Sequence, residues 1–190
     1  MSRITFAFFA LCLMALGASP ASAYSYAAAG AEPLLDGRDA LFSAAAKGDW
    51  SAAATALTAM QPDLDYLEQN EDPGIAKAFS DAMAAKDAKA LQAAFTRAAS
   101  AEIVRRLNGA RDNLADYQTA KVLVVKAQRF YTAIAADLPP DSSTAVADGL
   151  KRALDALGNP GVFGVGARKP DPDAFAKARA DVFAALGRTA

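Results

Sequence analysis

Alanine decides what this chain can become: from Tyr24 onward it makes up about a quarter of the residues. It is the strongest helix former, because it loses no side-chain freedom and hides no polar group. β-Branched residues are sparse, and no alternating run bounded by turn residues marks a strand. The expected fold is all-α: a bundle of six or seven helices. One element stands out, a long helix over 110–137. Its stretch Val122-Leu123-Val124-Val125 is apolar on every side, joined by Phe130, Tyr131 and Ile134. A helix apolar all round is a buried helix, so this one is expected at the centre.

The N-terminus has a different character. Arg3 precedes an apolar run from Ile4 to Leu16, followed by Gly17, Ser19, Pro20 and the small-x-small sequence Ala21-Ser22-Ala23. That order is the pattern of a cleavable secretory signal. The run has 13 residues, short of the roughly 20 a membrane-spanning helix needs. Tyr24 stands where a lipoprotein would carry cysteine, and Cys12 lies inside the run. The expected organisation is a signal over 1–23, a flexible leader over 24–35 and one helical domain over 36–190. An exported chain without a lipid anchor belongs in the periplasm of a Gram-negative source, with full secretion the other destination. No second long apolar run follows, so no transmembrane helix is expected after cleavage.

The helix boundaries follow from caps and breakers. Asp36 or Asp39 starts a helix that Gly48 stops, and Asp49 starts the next at Trp50. Pro62 should interrupt that helix near Met60, with a short helix from Asp63 to Asn70. Asp72-Pro73 reads as a cap followed by proline in the first turn, opening a helix to Ala85. Asp87 opens another, which Asn108-Gly109 should stop after Leu107. Pro139-Pro140 ends the long helix, Ser142 or Ser143 caps one to Leu157, and Asp171-Pro172 opens the last, stopped by Gly187. Phe42, Lys47, Asp49 and Leu57 are echoed by Phe79, Lys86, Asp87 and Phe95. The echo hints at a duplicated αα-hairpin, but there is no third copy and chance similarity in an alanine-rich chain is the favoured explanation.

Charge and the missing residue types exclude several functions. Without Arg3, 19 basic residues face 21 acidic ones, and there is no histidine. That balance gives no footprint for nucleic acid or an anionic membrane. No histidine, and no cysteine after Tyr24, rules out a Ser-His-Asp triad, a Cys-His pair, thiolate-held iron–sulfur centres and ordinary zinc sites. No cofactor is expected.

Three constellations remain. On the long helix, Tyr117, Lys121 and Gln128 share the side that carries Leu114 and Val125. Lys121 is therefore expected at least partly buried, either holding an anion or, more simply, paired with an internal carboxylate or reaching past its neighbours to water. The acidic segment Asp63, Asp65, Glu68, Glu71 and Asp72 has the oxygen ligands of a hard-cation site, but Asp63 and Asp72 are also explained as caps and Glu68 as solvated surface. The loop from Gly158 to Pro170 has four glycines, the apolar residues Val162, Phe163 and Val165, and the basic pair Arg168-Lys169. Its apolar residues are expected to tuck onto the core. At this length it is also the first candidate for binding a partner or ligand. The charges from Glu102 to Asp116 read as a solvated helix face. The leading expectation is an exported, non-catalytic binding or adaptor protein, its partner a protein or small ligand. The alternatives are an accessory protein holding a hard metal ion through 63–72, and a carboxylate-based enzyme marked by one buried Asp or Glu of raised pKa in a cleft.

Overall fold

The computed structural model of the chain describes residues 32–161, 163 and 165–189. The signal segment, most of the leader and Val162 lie outside the described residues. The architecture is all-α, a bundle of eight helices with no strand among the described residues: α1 (Pro33–Asp36), α2 (Arg38–Ala46), α3 (Trp50–Asn70), α4 (Ile75–Ala85), α5 (Ala88–Asp112), α6 (Tyr117–Ile134), α7 (Pro140–Ala156) and α8 (Pro172–Ala185).

Aspartates start most of the long helices. Asp49, Asp87, Asp116 and Asp171 each accept main-chain N–H bonds in the first turn that follows. Two connections are the same device. The N–H of Asp49 donates to Ala44 O and that of Asp87 to Ala82 O, both at 3.0 Å. The residue before each is left-handed, Gly48 at φ +72° and Lys86 at φ +53°. These are Schellman closures, and they place Asp49 and Asp87 at equivalent turns of two αα-hairpins, with Lys86 matching Gly48 rather than the echoed Lys47. Trp50 packs against the core, half-buried.

Five sequence expectations are corrected. The leader is not loose where it is described: Glu32 and Leu34 are buried at 2 % and 0 % exposure. Pro62 does not end α3, which runs through to Asn70. The donor a proline lacks belongs to one turn, and here that turn faces water, while Met60, Leu64 and Leu67 bury the opposite side. Asn108-Gly109 does not stop α5. A Cβ at Gly109 would lie 3.3 Å from Leu123 Cδ1, so this glycine serves the close approach of α6. The chain breaks later, at 113–116, and Pro140 rather than a serine opens α7. The centre is therefore not a helix over 110–137. It is α5, where Leu91, Phe95, Ala98, Ile103, Leu107 and Ala110 are all sealed from water.

α6 flanks α5 and keeps an open side. Ala120, Val124, Ala127, Phe130 and Ile134 face inward, while Val122 and Val125 are 36 % and 39 % exposed. Four consecutive apolar residues span every direction of a helix, but only the stripe repeating every three or four residues finds a partner. The core runs unbroken from Leu34 to Phe183. No helix among the described residues is long and apolar enough to cross a membrane.

Candidate functional site

The loop after α7 is held by its two ends. Asn159 and Arg168 exchange two main-chain bonds, Asn159 N to Arg168 O at 2.8 Å and Arg168 N to Asn159 O at 2.7 Å. Gly158 makes this closure possible: it is left-handed, and a Cβ there would sit 2.2 Å from Arg168 O. Arg168 Nη2 donates to Asp155 O, and Asp171 N to Ala156 O, which fasten the loop to the end of α7.

What the loop carries contradicts the expectation that it tucks inward. Phe163 is fully exposed and Val165 is 79 % exposed. Phe163 is also left-handed at φ +51°, a conformation that costs a bulky residue about 1–2 kcal/mol. The fold gains no contact from an aromatic ring placed this way. A residue that bears both an exposure cost and a backbone cost points to a role outside the fold.

A hollow of about 460 Å³ lies between the end of α7, the C-terminal end of the loop and the start of α8. Arg152, Arg168, Lys169 and Lys177 line it, together with Asp155 and Asp171. Asp171 is engaged as the α8 cap. Asp181 is shared between Arg152 Nη2 at 3.0 Å and Lys177 Nζ at 3.3 Å. Arg168 and Lys169 thus line the hollow, while Phe163 is not among its lining residues. A second hollow, about 410 Å³, lies between α4 and α5 and is lined mainly by alanines.

The other nominated residues are placed as follows. Tyr117 and Gln128 are half-buried. Lys121 is exposed, with Nζ 5.5 Å from the Tyr117 ring centre, which corrects the expectation of an interior lysine. The acidic segment is dispersed. Asp63 lies near Arg105, and Asp65 accepts from Gln61 Nε2 at 2.7 Å. Glu68, read as solvated surface, caps α4: it accepts from Gly74 N at 2.9 Å and Ala76 N at 2.8 Å, and the Ala76 and Gly74 N–H groups hold its carboxyl below the ordinary value. Asp72, read as that cap, instead receives Arg97 at 2.6 Å and Arg188 at 2.7 Å, and the Arg97 hydrogen bond holds it low. Burial pushes Glu71 up, but Glu71 lines neither hollow. Among the described residues no three acidic side chains gather where a metal ion could be held.

Sequence reasoning missed a buried ionic cluster. Glu32 meets Arg106 Nη2 and Lys126 Nζ, each at 2.8 Å. Glu102 takes the fork of Arg105 and approaches Arg106 Nε at 3.0 Å. Glu32, Glu102, Arg106 and Lys126 are all at most 6 % exposed. The reading of 102–116 as a solvated face is thus overturned for Glu102 and Arg106. The charges pair with one another within the core, although Glu32 Oε1 and Arg106 Nε make no hydrogen bond there, and the cluster ties the start of α1 to α5 and α6.

Fold and site together define an all-helical bundle with one strained, outward-facing loop whose C-terminal end lines a hollow. No family model, curated protein or solved structure matches the chain.

Proposed function

We propose that this is an exported helical protein that acts by binding, without catalysis, and that it docks a protein partner through the loop between Gly158 and Pro170. One observation carries the docking reading: Phe163 stands fully in solvent on a left-handed backbone, on a loop whose ends are fastened. An exposed aromatic side chain of this kind is what a partner's pocket accepts as an anchor, because an aromatic ring has few rotatable bonds and loses little freedom on burial. Arg168 and Lys169, later in the same loop, supply polar groups for a rim. Export rests on Arg3, the apolar run and Ala21-Ser22-Ala23, and the periplasm is the destination this favours.

The docking test places a photoreactive phenylalanine analogue at position 163 in the native host, with position 122 as the control. A discrete adduct from 163 that is absent from 122 supports the reading. A blank at 163, or the same adducts from both positions, overturns it. Export is checked by the intact mass of the processed protein, which should begin at Tyr24.

A further inference from the structure

We infer that Arg111 and Arg179, with the amide of Asn108, form a site for a phosphate-type oxyanion where the end of α5 meets α8. The spacing builds it. Asn108, Arg111 and Asp112 recur at intervals of three and four, so they share one face of α5. Arg179 and Phe183 stand four apart on α8. The half-buried Arg179 guanidinium is held twice. Its Nε donates to Asn108 Oδ1 at 2.8 Å, and its centre lies 4.6 Å from the Phe183 ring centre. A guanidinium held by edge and face has little freedom left to lose when a ligand arrives. Arg111 is exposed, so the site opens to water.

What Arg179 lacks is a counter-charge. Among the described residues no carboxylate forms an ion pair with it. Asp112, the one acid that raises its pKa, gives its carboxylate to Arg111 Nε at 2.8 Å. Burial, and then the neighbouring Arg111 charge, push Arg179 below the ordinary arginine value, while an arginine stays charged throughout. The carbonyls ending α5 do not take up the charge either. Gly109 O accepts from Asn113 Nδ2, Ala110 O from Asn113 N and Arg111 O from Leu114 N. Two guanidiniums therefore share one carboxylate. Beside them, the Asn108 amide has spent its oxygen on Arg179 and keeps its NH₂ group as a donor. Planar arginine forks match phosphate oxygens. A phosphate monoester presents three such oxygens to these three groups, where a carboxylate presents only two.

The experiment is thermal unfolding of the purified protein with millimolar inorganic phosphate, against sodium chloride of matched ionic strength. Phosphate should raise the unfolding midpoint, and its concentration dependence gives the Kd. Asn108→Asp supplies Arg179 with an internal carboxylate. That variant should unfold near the parent's midpoint without phosphate, and phosphate should no longer raise it. Asp112→Asn removes the competing acid and should tighten phosphate about fivefold, from the ordinary strength of exposed charge pairs. Arg179→Lys keeps the charge without the fork and should weaken phosphate. A merely structural Arg179 would move the midpoint but not its dependence on phosphate. No rise with phosphate, an equal rise with chloride, a rise that Asn108→Asp leaves intact, or an affinity that Asp112→Asn does not improve would overturn the inference. Glycerol phosphate separates the two sources of the anion. Tighter binding than inorganic phosphate supports the site as one for a phosphomonoester, and equal or weaker binding supports it as one for the free anion. The site stands apart from the loop, so a blank photocrosslink at 163 leaves it untouched.

Discussion

At the scale of single residues, the decisive side chains are charged and interior. Glu32 answers two buried cations at once, so neutralising it leaves both short of counter-charge. Glu32→Gln is expected to cost about 3 kcal/mol, read from urea unfolding. Replacing Glu32 and Lys126 together by methionine should recover most of that loss, since Arg106 keeps Glu102. Asp72 gives a pH signature. Arg97 holds its carboxyl below the unfolded value of about 3.9, so the folded state takes up its proton less readily than the unfolded chain. Its contribution is complete above that pH and fades as pH falls through the lower folded value. Asp72→Asn should therefore cost about 1.5 kcal/mol at pH 7, allowing for the half-exposed Arg97, and nothing in strong acid. A cost that stays constant with pH would show that the pair is not what holds Asp72.

At the scale of elements, the sequence was legible wherever the determinant was local. Asp49, Asp87 and Asp171 were readable as caps because a cap bonds the turn that follows it, and Gly187 was readable as a stop. Glu68 and Asp72 were misread for the opposite reason. Glu68 caps a helix other than its own, and Asp72 answers arginines 25 and 116 residues away in sequence. Gly109 carries the same lesson: a stop signal and a contact glycine look identical until the neighbouring helix is known. Gly149 is the second contact glycine, since a Cβ there would lie 2.5 Å from Val182 Cγ2. Gly149→Ala gains about 1 kcal/mol of helix propensity but forces a stiff β-branched neighbour aside. The expected net is a loss of about 1 kcal/mol in thermal unfolding, turning into a gain in a Val182→Ala background. Lys86 occupies the left-handed position that Gly48 fills in the sister turn. Lys86→Gly should accordingly raise stability by about 0.5–1 kcal/mol.

At the scale of the whole molecule, the fold class was readable from composition, while the loop's surface was not. The rule that apolar residues turn inward failed at Phe163 and Val165 because paired ends hold the loop away from the core. No local pattern distinguishes an apolar loop that covers from one that projects. The ionic cluster was equally hidden: its members come from a segment read as leader, a face read as solvated and a helix where Lys121, not Lys126, looked interior. The division between stability and docking gives a global prediction. Phe163→Gly should leave the unfolding midpoint within about 0.5 kcal/mol of the parent, because relief of the left-handed strain offsets the entropy of glycine, while the photocrosslinked partner no longer binds. A large drop in midpoint would mean the ring supports the fold after all.

The position of Glu32 also sets a clock. Ribosomes deliver this carboxylate before either cation it needs, and Lys126 follows it by 94 residues. At roughly 5–20 residues per second, that interval is on the order of 5–20 seconds. Arg106 arrives before Lys126, so for the last part of that interval the acid has one of its two cations and lacks the other. The first helix among the described residues is therefore among the last to be fully fastened, and any product ending before Lys126 lacks one of the two cations that hold Glu32.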